Sequence, residues 1–277
     1  MVHPFQHQSD LAALRAQDPD FAGTLAKGLL ILQAFVVKDP RPYANSELAA
    51  LLGMPRPTVS RLCRTLLALG YLDHDERTDR YYIGPAAVAL GYPYIASIAL
   101  RAQARPAMQA LANQVRGAVS IGVAVGLDLI FVETCAWQRG TLARPDQGTV
   151  RSIAEMAMGR AWLYAQDEAT RRDVLQQITT QRPEEMARCT AGIKESLANQ
   201  ARLGFATNMG DAGYGAFGVG LCSRLRHGPR SLIFNCAVPF TRMRPKDLVD
   251  NVGPRLVELV HTIERTAIPG SFGDVNL

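Results

Sequence analysis

The sequence predicts an α+β chain of two domains. The first is small, three helices closed by a hairpin; the second is larger and built on a mainly antiparallel sheet. Three observations carry this. The chain has 277 residues, long for one compact domain. Its hydrophobic period changes near Gly70 from that of helices to that of two short strands. Beyond residue 117, two apolar hairpins bracket a helical stretch and a last helix closes the chain, so strands and helices come in blocks.

The elements follow in order. "TLAKGLLILQAFV" (Thr24–Val36) spaces Leu25, Leu29, Leu32 and Phe35/Val36 as one helical face, and "DPRPYAN" breaks it with two prolines. "SELAALLG" (Ser46–Gly53) reads as a short helix. Asn45 or Ser46 caps it, Glu47 sits in its positive first turn, and Gly53 allows a left-handed exit. "MPRP" makes the next turn, and Pro57 suits the first position of a third helix.

On that third helix, Val59, Leu62, Leu66 and Leu69 fall within roughly 80° of one another at 100° per residue. Arg61 and Arg64 fall on the opposite side, with Ser60 beside them. After Gly70, "YLDHDERTDRYYIG" reads as two strands around a polar turn at Glu76–Asp79. Three helices and a hairpin make a winged helix-turn-helix, whose third helix fits the major groove of DNA. Outward arginines alone are an ordinary solvated helix face. Here they share a stretch with a short helix, a glycine turn, a proline-initiated helix and a wing, and that company points to DNA binding. The expected base and near-base contacts are Thr58, Ser60, Arg61 and Arg64 at the helix opened by Pro57. Arg56, Arg77 and Arg80 are expected on phosphates or in the wing.

In the second part, "AVSIGVAV" and "LIFVETC" flank a Gly-Leu-Asp turn as a hairpin, and "GVGLCSRLRHGPRSLIFNCAVPF" turns again at "RHGP". Between them, "DEATRRDVLQQI" and "RPEEMARCTAGIKESLANQARLG" are helical by period, the latter ended by Gly204. "RPKDLVDNVGPRLVELVHTIERT" closes the chain, with Pro254 expected to kink or break it.

Charge must be split before it is used. Residues 1–100 carry nine Lys+Arg and nine Asp+Glu, so the net +5 lies wholly beyond them, 21 against 16. Placement, not total charge, argues for DNA. The five cysteines are scattered, odd in number and never spaced C-x-x-C, which fits a reducing cytoplasm and gives no zinc signature. Apolar runs are too short for a membrane span, and the opening "MVHPFQHQSDLAALRAQDPD" lacks the basic-then-apolar plan of a secretory signal. None of the histidines (3, 7, 74, 227, 261) has a spacing partner for a metal or a triad. No catalytic residue, metal or cofactor is expected. The rival is a ligand-binding or thiol-dependent enzyme using Cys222 or Cys236, with the winged helix kept for protein contacts; it needs a thiol of depressed pKa.

The pieces "LAKGLLILQAF", "SELAALLGMPRPTVSRLCRTLLALGYLDHD" and "YYIGPAAVALG" resemble, in order and spacing, the IclR (isocitrate lyase regulator) family of bacterial transcription regulators. "IALRAQARPAMQALANQV", "MAMGRAWLYAQ", "ARLGFA" and "VPFTRM" extend the resemblance over about residues 24–266. It implies a winged DNA-binding domain, a linker helix, and an effector domain similar to GAF and PAS folds. Boundaries drawn on this basis are a tail at 1–20, the winged domain at 21–84, the linker at 85–101, the effector and oligomerisation domain at 102–268 and a tail at 269–277.

The resemblance further implies homodimers or dimers of dimers on near-palindromic double-stranded operators, tuned by small carboxylic acids. It places Ala157 and Met158 where backbone meets the effector, Cys222 at a pocket position on a strand, and Asn235 and Ala237 at a strand pair that is often Ser-x-Ser. Asp211 would be a polar wall. With Met156, Tyr214, Phe217 and Phe234 as a soft aromatic cup, an aromatic or hydrophobic acid is expected.

Overall fold

The computed structural model describes residues 11, 15–16, 18–35, 41–137, 146–211 and 213–267. The tail at 269–277, most of that at 1–20, and Val36 at the end of the first predicted helix lie outside them. Along the chain the structure divides into two compact units between Ala96 and Ser97.

The first unit holds helices α1 (Gly23–Gln33), α2 (Asn45–Leu52) and α3 (Arg56–Ala68), then strands β1 (Leu72–Asp75) and β2 (Arg80–Ile83). Its core is the predicted stripe: Val59, Leu62, Cys63 and Leu66 of α3 bury against Leu30 and Ile31 of α1 and Leu48 and Leu52 of α2. Each such aliphatic side chain contributes roughly 1.5–3 kcal/mol on burial. Leu69, assigned to that stripe, is exposed just past the helix end. The α2–α3 turn uses Gly53 at φ 65°, the left-handed exit. Two start signals differ from expectation. Ala44 is the N-cap of α2 and has no side-chain acceptor, so Glu47 caps in reverse by accepting the Ala44 N–H at 2.7 Å. Pro57 takes the second position of α3, after Arg56. The hairpin pairs Leu72–Asp75 with Ile83–Arg80 and is tied back by a bridge between Tyr81 and Tyr43. Helix α4 (Ala86–Ser97) ends this stretch.

The second unit begins with α5 (Leu100–Val115) and continues through β3 (Ala118–Val125), β4 (Asp128–Ala136), β5 (Val150–Ser152), α6 (Ala157–Ala165), α7 (Glu168–Gln181), α8 (Pro183–Leu203), β6 (Ala206–Asn208), β7 (Ala216–His227) and β8 (Arg230–Pro239). Helical turns lead into the final α9 (Gly253–Thr266). All six strands pair antiparallel, in the order β5-β4-β3-β8-β7-β6. One face packs Val119, Ile121, Phe234, Cys236 and Val238 under α5 and α9. The other meets Met158, Leu163, Ile178 and Ile193 of α6, α7 and α8. Alternation along each strand makes this two-sided core possible.

Pro254 does not break the closing helix. A π turn at Leu248–Val252 absorbs it, and Pro254 sits in the first turn of α9, where its missing N–H costs no helical bond. Gly253 before it lies against the Phe205 ring, in space that a Cβ would need.

Candidate nucleic-acid interface and ligand pocket

The first site is the outer side of α3 and the wing. The buried stripe fixes the rotation of α3, so Arg61 and Arg64 are exposed. Arg56 and Pro57 are exposed at its start, and Thr58 and Ser60 are half-buried beside them. Arg77 is exposed at the hairpin tip, where Asp75 shapes the turn by accepting the Arg77 N–H and the Thr78 hydroxyl at 2.9 Å each. Among the described residues none of Arg56, Arg61, Arg64 and Arg77 is in an ion pair.

Arg80 differs from expectation. Its Nη1 donates to Glu47 Oε2 at 2.8 Å and to the Pro42 carbonyl at 3.0 Å. Arg41 reaches the other Glu47 oxygen at 3.1 Å. Glu47 thus gathers two cations and the Ala44 N–H, which chiefly holds its carboxyl below the usual range, with the two arginines assisting. Arg80 braces the wing against α2 and is not an outward cation like Arg77.

The second site lies on the α6 side of the sheet, where register sets two rows. Thr134, Ser120, Asn235, Gly220 and Ala206 form one; Ala136, Ala118, Ala237, Gly218 and Asn208 form the next. The floor is therefore small, with Ser120 and Thr134 hydrogen-bonded at 3.0 Å. Helix α6 starts directly on it. Ala157 lies 3.4 Å from where a Gly218 Cβ would stand, and a Cβ on Gly220 would collide with the Ala157 carbonyl and the Met158 nitrogen. No side chain caps this helix, whose first N–H groups form the positive end of its dipole. Asn235 is 2% exposed. Its Oδ1 has no hydrogen-bond partner among the described residues and stands 3.8 Å from the Gly218 Cβ position.

Asp211 pairs with Arg160, which is only 1% exposed and also donates to the Thr207 carbonyl at 2.8 Å. The acid's charge is thereby matched, although its Oδ1 is buried without a partner among the described residues. Asn208 bonds the Glu155 carbonyl at 2.6 Å, and Tyr214 gives its hydroxyl to Glu155 Oε2 at 2.5 Å.

Cys222 lies on the same face a row beyond Asn235, packed against the cluster that holds Met158, and Gly218 occupies the position between Ala237 and Asn208. Two expectations about this pocket need correction. Phe217 and Phe234 face the other side of the sheet: Phe217 stacks on Phe240 at 4.5 Å, and Phe234 is buried with α5 and α9. Gly218 and Gly220, against which the start of α6 packs, were not expected here. Their signal was present, since glycines at period 2 in a strand mark close approach of another backbone.

The thiols have none of the features of a nucleophile. Burial raises Cys222 and pushes Cys236 up to about 12, so both stay protonated at neutral pH. Among the described residues there is no cluster of metal-binding side chains, and no helix is long and apolar enough to cross a membrane.

Comparison with known proteins gives this pairing of sites a class, that of DNA-binding transcription regulators. Residues 24–76 match the IclR helix-turn-helix domain, and residues 92–262 match the bacterial transcriptional regulator IclR C-terminal domain. The chain belongs to the IclR family. It is 28% identical over 245 residues to the HTH-type transcriptional regulator TsaQ1/TsaQ2 of Comamonas testosteroni, covering 87% of each chain. It is 30% identical over 159 residues to the Pca regulon regulatory protein of Pseudomonas putida, covering 57% of this chain and 54% of that one. The crystal structure of an IclR family transcriptional regulator from Brucella abortus superposes with a TM-score of 0.81 at 29% identity, covering 92% of this chain and 96% of the other. An IclR homologue from Microbacterium hydrocarbonoxydans, complexed with 4-hydroxybenzoate, shares the fold at a TM-score of 0.64 and 17% identity, covering 88% of this chain and all of that one. The named relatives are regulators, not enzymes.

Proposed function

We propose that this regulator reads a near-palindromic operator as a dimer, or a dimer of dimers, and that a small carboxylic acid bound at α6 tunes that binding. The observation that carries the DNA reading is the set of arginines 56, 61, 64 and 77, outward and without carboxylate partners among the described residues. Arg61 and Arg64 are assigned to base edges with Thr58 and Ser60 beside them, and Arg56 and Arg77 to phosphates. The acid would sit with its carboxylate at the uncapped start of α6, over Gly218 and Ala237. The small floor, Met156, Met158 and Tyr214 support an aromatic or hydrophobic acid, and 4-hydroxybenzoate, held by the Microbacterium homologue, is a first probe. Self-association is supported by α4, which carries no charged residue and no buried one. Val88 is 75% and Tyr92 67% exposed. A cytoplasmic location follows from the role.

The test is fluorescence anisotropy with DNA from upstream of the gene, beside random DNA and the Arg61→Ala/Arg64→Ala variant. Competitor-resistant binding that the variant loses supports the reading. A genomic fragment selection that recovers no site would refute it. The same assay then screens aromatic and aliphatic acids for a shift in operator affinity.

A further inference from the structure

The positive excess of the chain lies beyond residue 100, where the DNA-reading helix is not. Most arginines of the second unit that approach its interior are neutralised. Arg101 and Arg105 share Glu133, Arg160 pairs with Asp211, Arg182 with Asp128, and Arg188 with Glu155. Three are not. Arg116, Arg242 and Arg255 line one cleft of about 510 Å³ together with Trp137, Gln114, Thr241 and Asn251, and no carboxylate lines it. None of the three is in an ion pair among the described residues.

The cleft is organised from within. Arg242 lies over the Trp137 ring at 4.4 Å and Arg116 at 5.6 Å, so the indole holds two guanidinium groups near each other. Arg242 Nη1 donates to the Arg116 carbonyl at 3.1 Å, and Arg255 is steadied by Gln114 at 3.4 Å. Arg116 caps α5 at φ 52°, a left-handed conformation usually left to glycine or asparagine. Three like charges converge from the end of α5, the turn after β8 and the start of α9 without an anion among them.

We propose that this cleft is a second ligand site, distinct from the α6 pocket, for a small phosphate-bearing anion. A monocarboxylate offers two oxygens in one plane, enough for one guanidinium fork. A phosphate spreads three oxygens and about two charges, which serves donors arriving from three elements. The cleft's volume is that of a small-molecule site, and its concavity favours a ligand over a duplex.

The experiment uses the full-length protein with Trp162→Phe, which leaves Trp137 as the single indole. Inorganic pyrophosphate is titrated at constant ionic strength while emission is followed. The expected result is a saturable change. Its midpoint should rise at least tenfold in Arg255→Gln, which leaves both ring contacts in place, and in Arg116→Gln/Arg242→Gln. Operator binding should be unchanged, with melting curves confirming that the variants fold. A response that never saturates, or one equal in the arginine variants, overturns the proposal. An equal response to sulfate means an adventitious ion only, and an equal response to benzoate removes the preference for phosphate. Competition by an unrelated DNA duplex would make the cleft a backbone contact and also overturn it.

Discussion

Arginines on the winged unit divide by what their guanidinium groups already hold. Among the described residues the Arg61 and Arg64 guanidinium groups hold no partner, whereas Arg80 is committed to Glu47 and Pro42. Arg61→Ala should therefore cost about 1–3 kcal/mol on the specific operator and little on random DNA. Arg77→Ala should weaken all duplexes alike and reduce the salt slope by about 1. Anisotropy across a salt series separates the two patterns. Arg80→Ala should instead lower the melting temperature of the winged unit only slightly, as expected of so exposed a pair, and leave sequence preference intact. The α6 pocket has its own single-residue test. Gly220→Ala pushes a methyl into the Ala157–Met158 backbone, so α6 must lift. A loss of about 1–3 kcal/mol in stability is expected, together with loss of acid binding by calorimetry. A variant that binds the acid as before would show that α6 does not need this seat.

Elements were legible in the sequence where they are long enough to show a period or are closed by a distinctive residue. The α3 stripe, the Gly53 and Gly204 exits and both central hairpins are of this kind. Strands β5 and β6 have three residues each, too few for alternation to register, and their pairing comes from the neighbouring strands. The aromatic cup failed for a different reason. Phe234 adjoins Asn235 and Phe217 adjoins Gly218, so strand geometry sends each phenyl to the face opposite its neighbour. Cys222 shares the parity of Asn235's row and faces α6. Glu47 also acts at the level of elements, since it joins α2, β2 and the segment at 41–44. Its carboxyl titrates below the ordinary value of 4.5 in the folded unit. The stability it contributes is therefore complete above that value and is lost as pH falls through the lower, folded pKa. Glu47→Gln should remove part of the acid sensitivity of the winged unit, measured as melting temperature against pH between about 2 and 6 by the same linkage. An unchanged profile would show that other carboxylates set it.

Across the whole molecule, net charge misleads about where DNA is read. The first hundred residues are neutral yet present four arginines without carboxylate partners among the described residues, while Glu47 holds Arg41 and Arg80, Asp75 shapes its own turn, and Asp79 meets His74. On the proposed reading, one operator takes two copies, since a single winged helix covers one half-site. On the same proposal, helix α4 is the seam. A 12-residue helix without charge would be costly to leave in water, and Val88, Leu90 and Tyr92 are all exposed on it. Val88→Glu/Leu90→Glu places two like charges on that surface in each copy, so pairing should be opposed twice over. Sedimentation should show a shift to monomer at micromolar concentration. Operator affinity should fall far more than affinity for random DNA, because only the specific complex needs two heads held together. Acid binding at α6 should survive, since none of its residues lies on α4. If the double variant stays dimeric and keeps its operator, association runs through another surface and α4 serves some other contact.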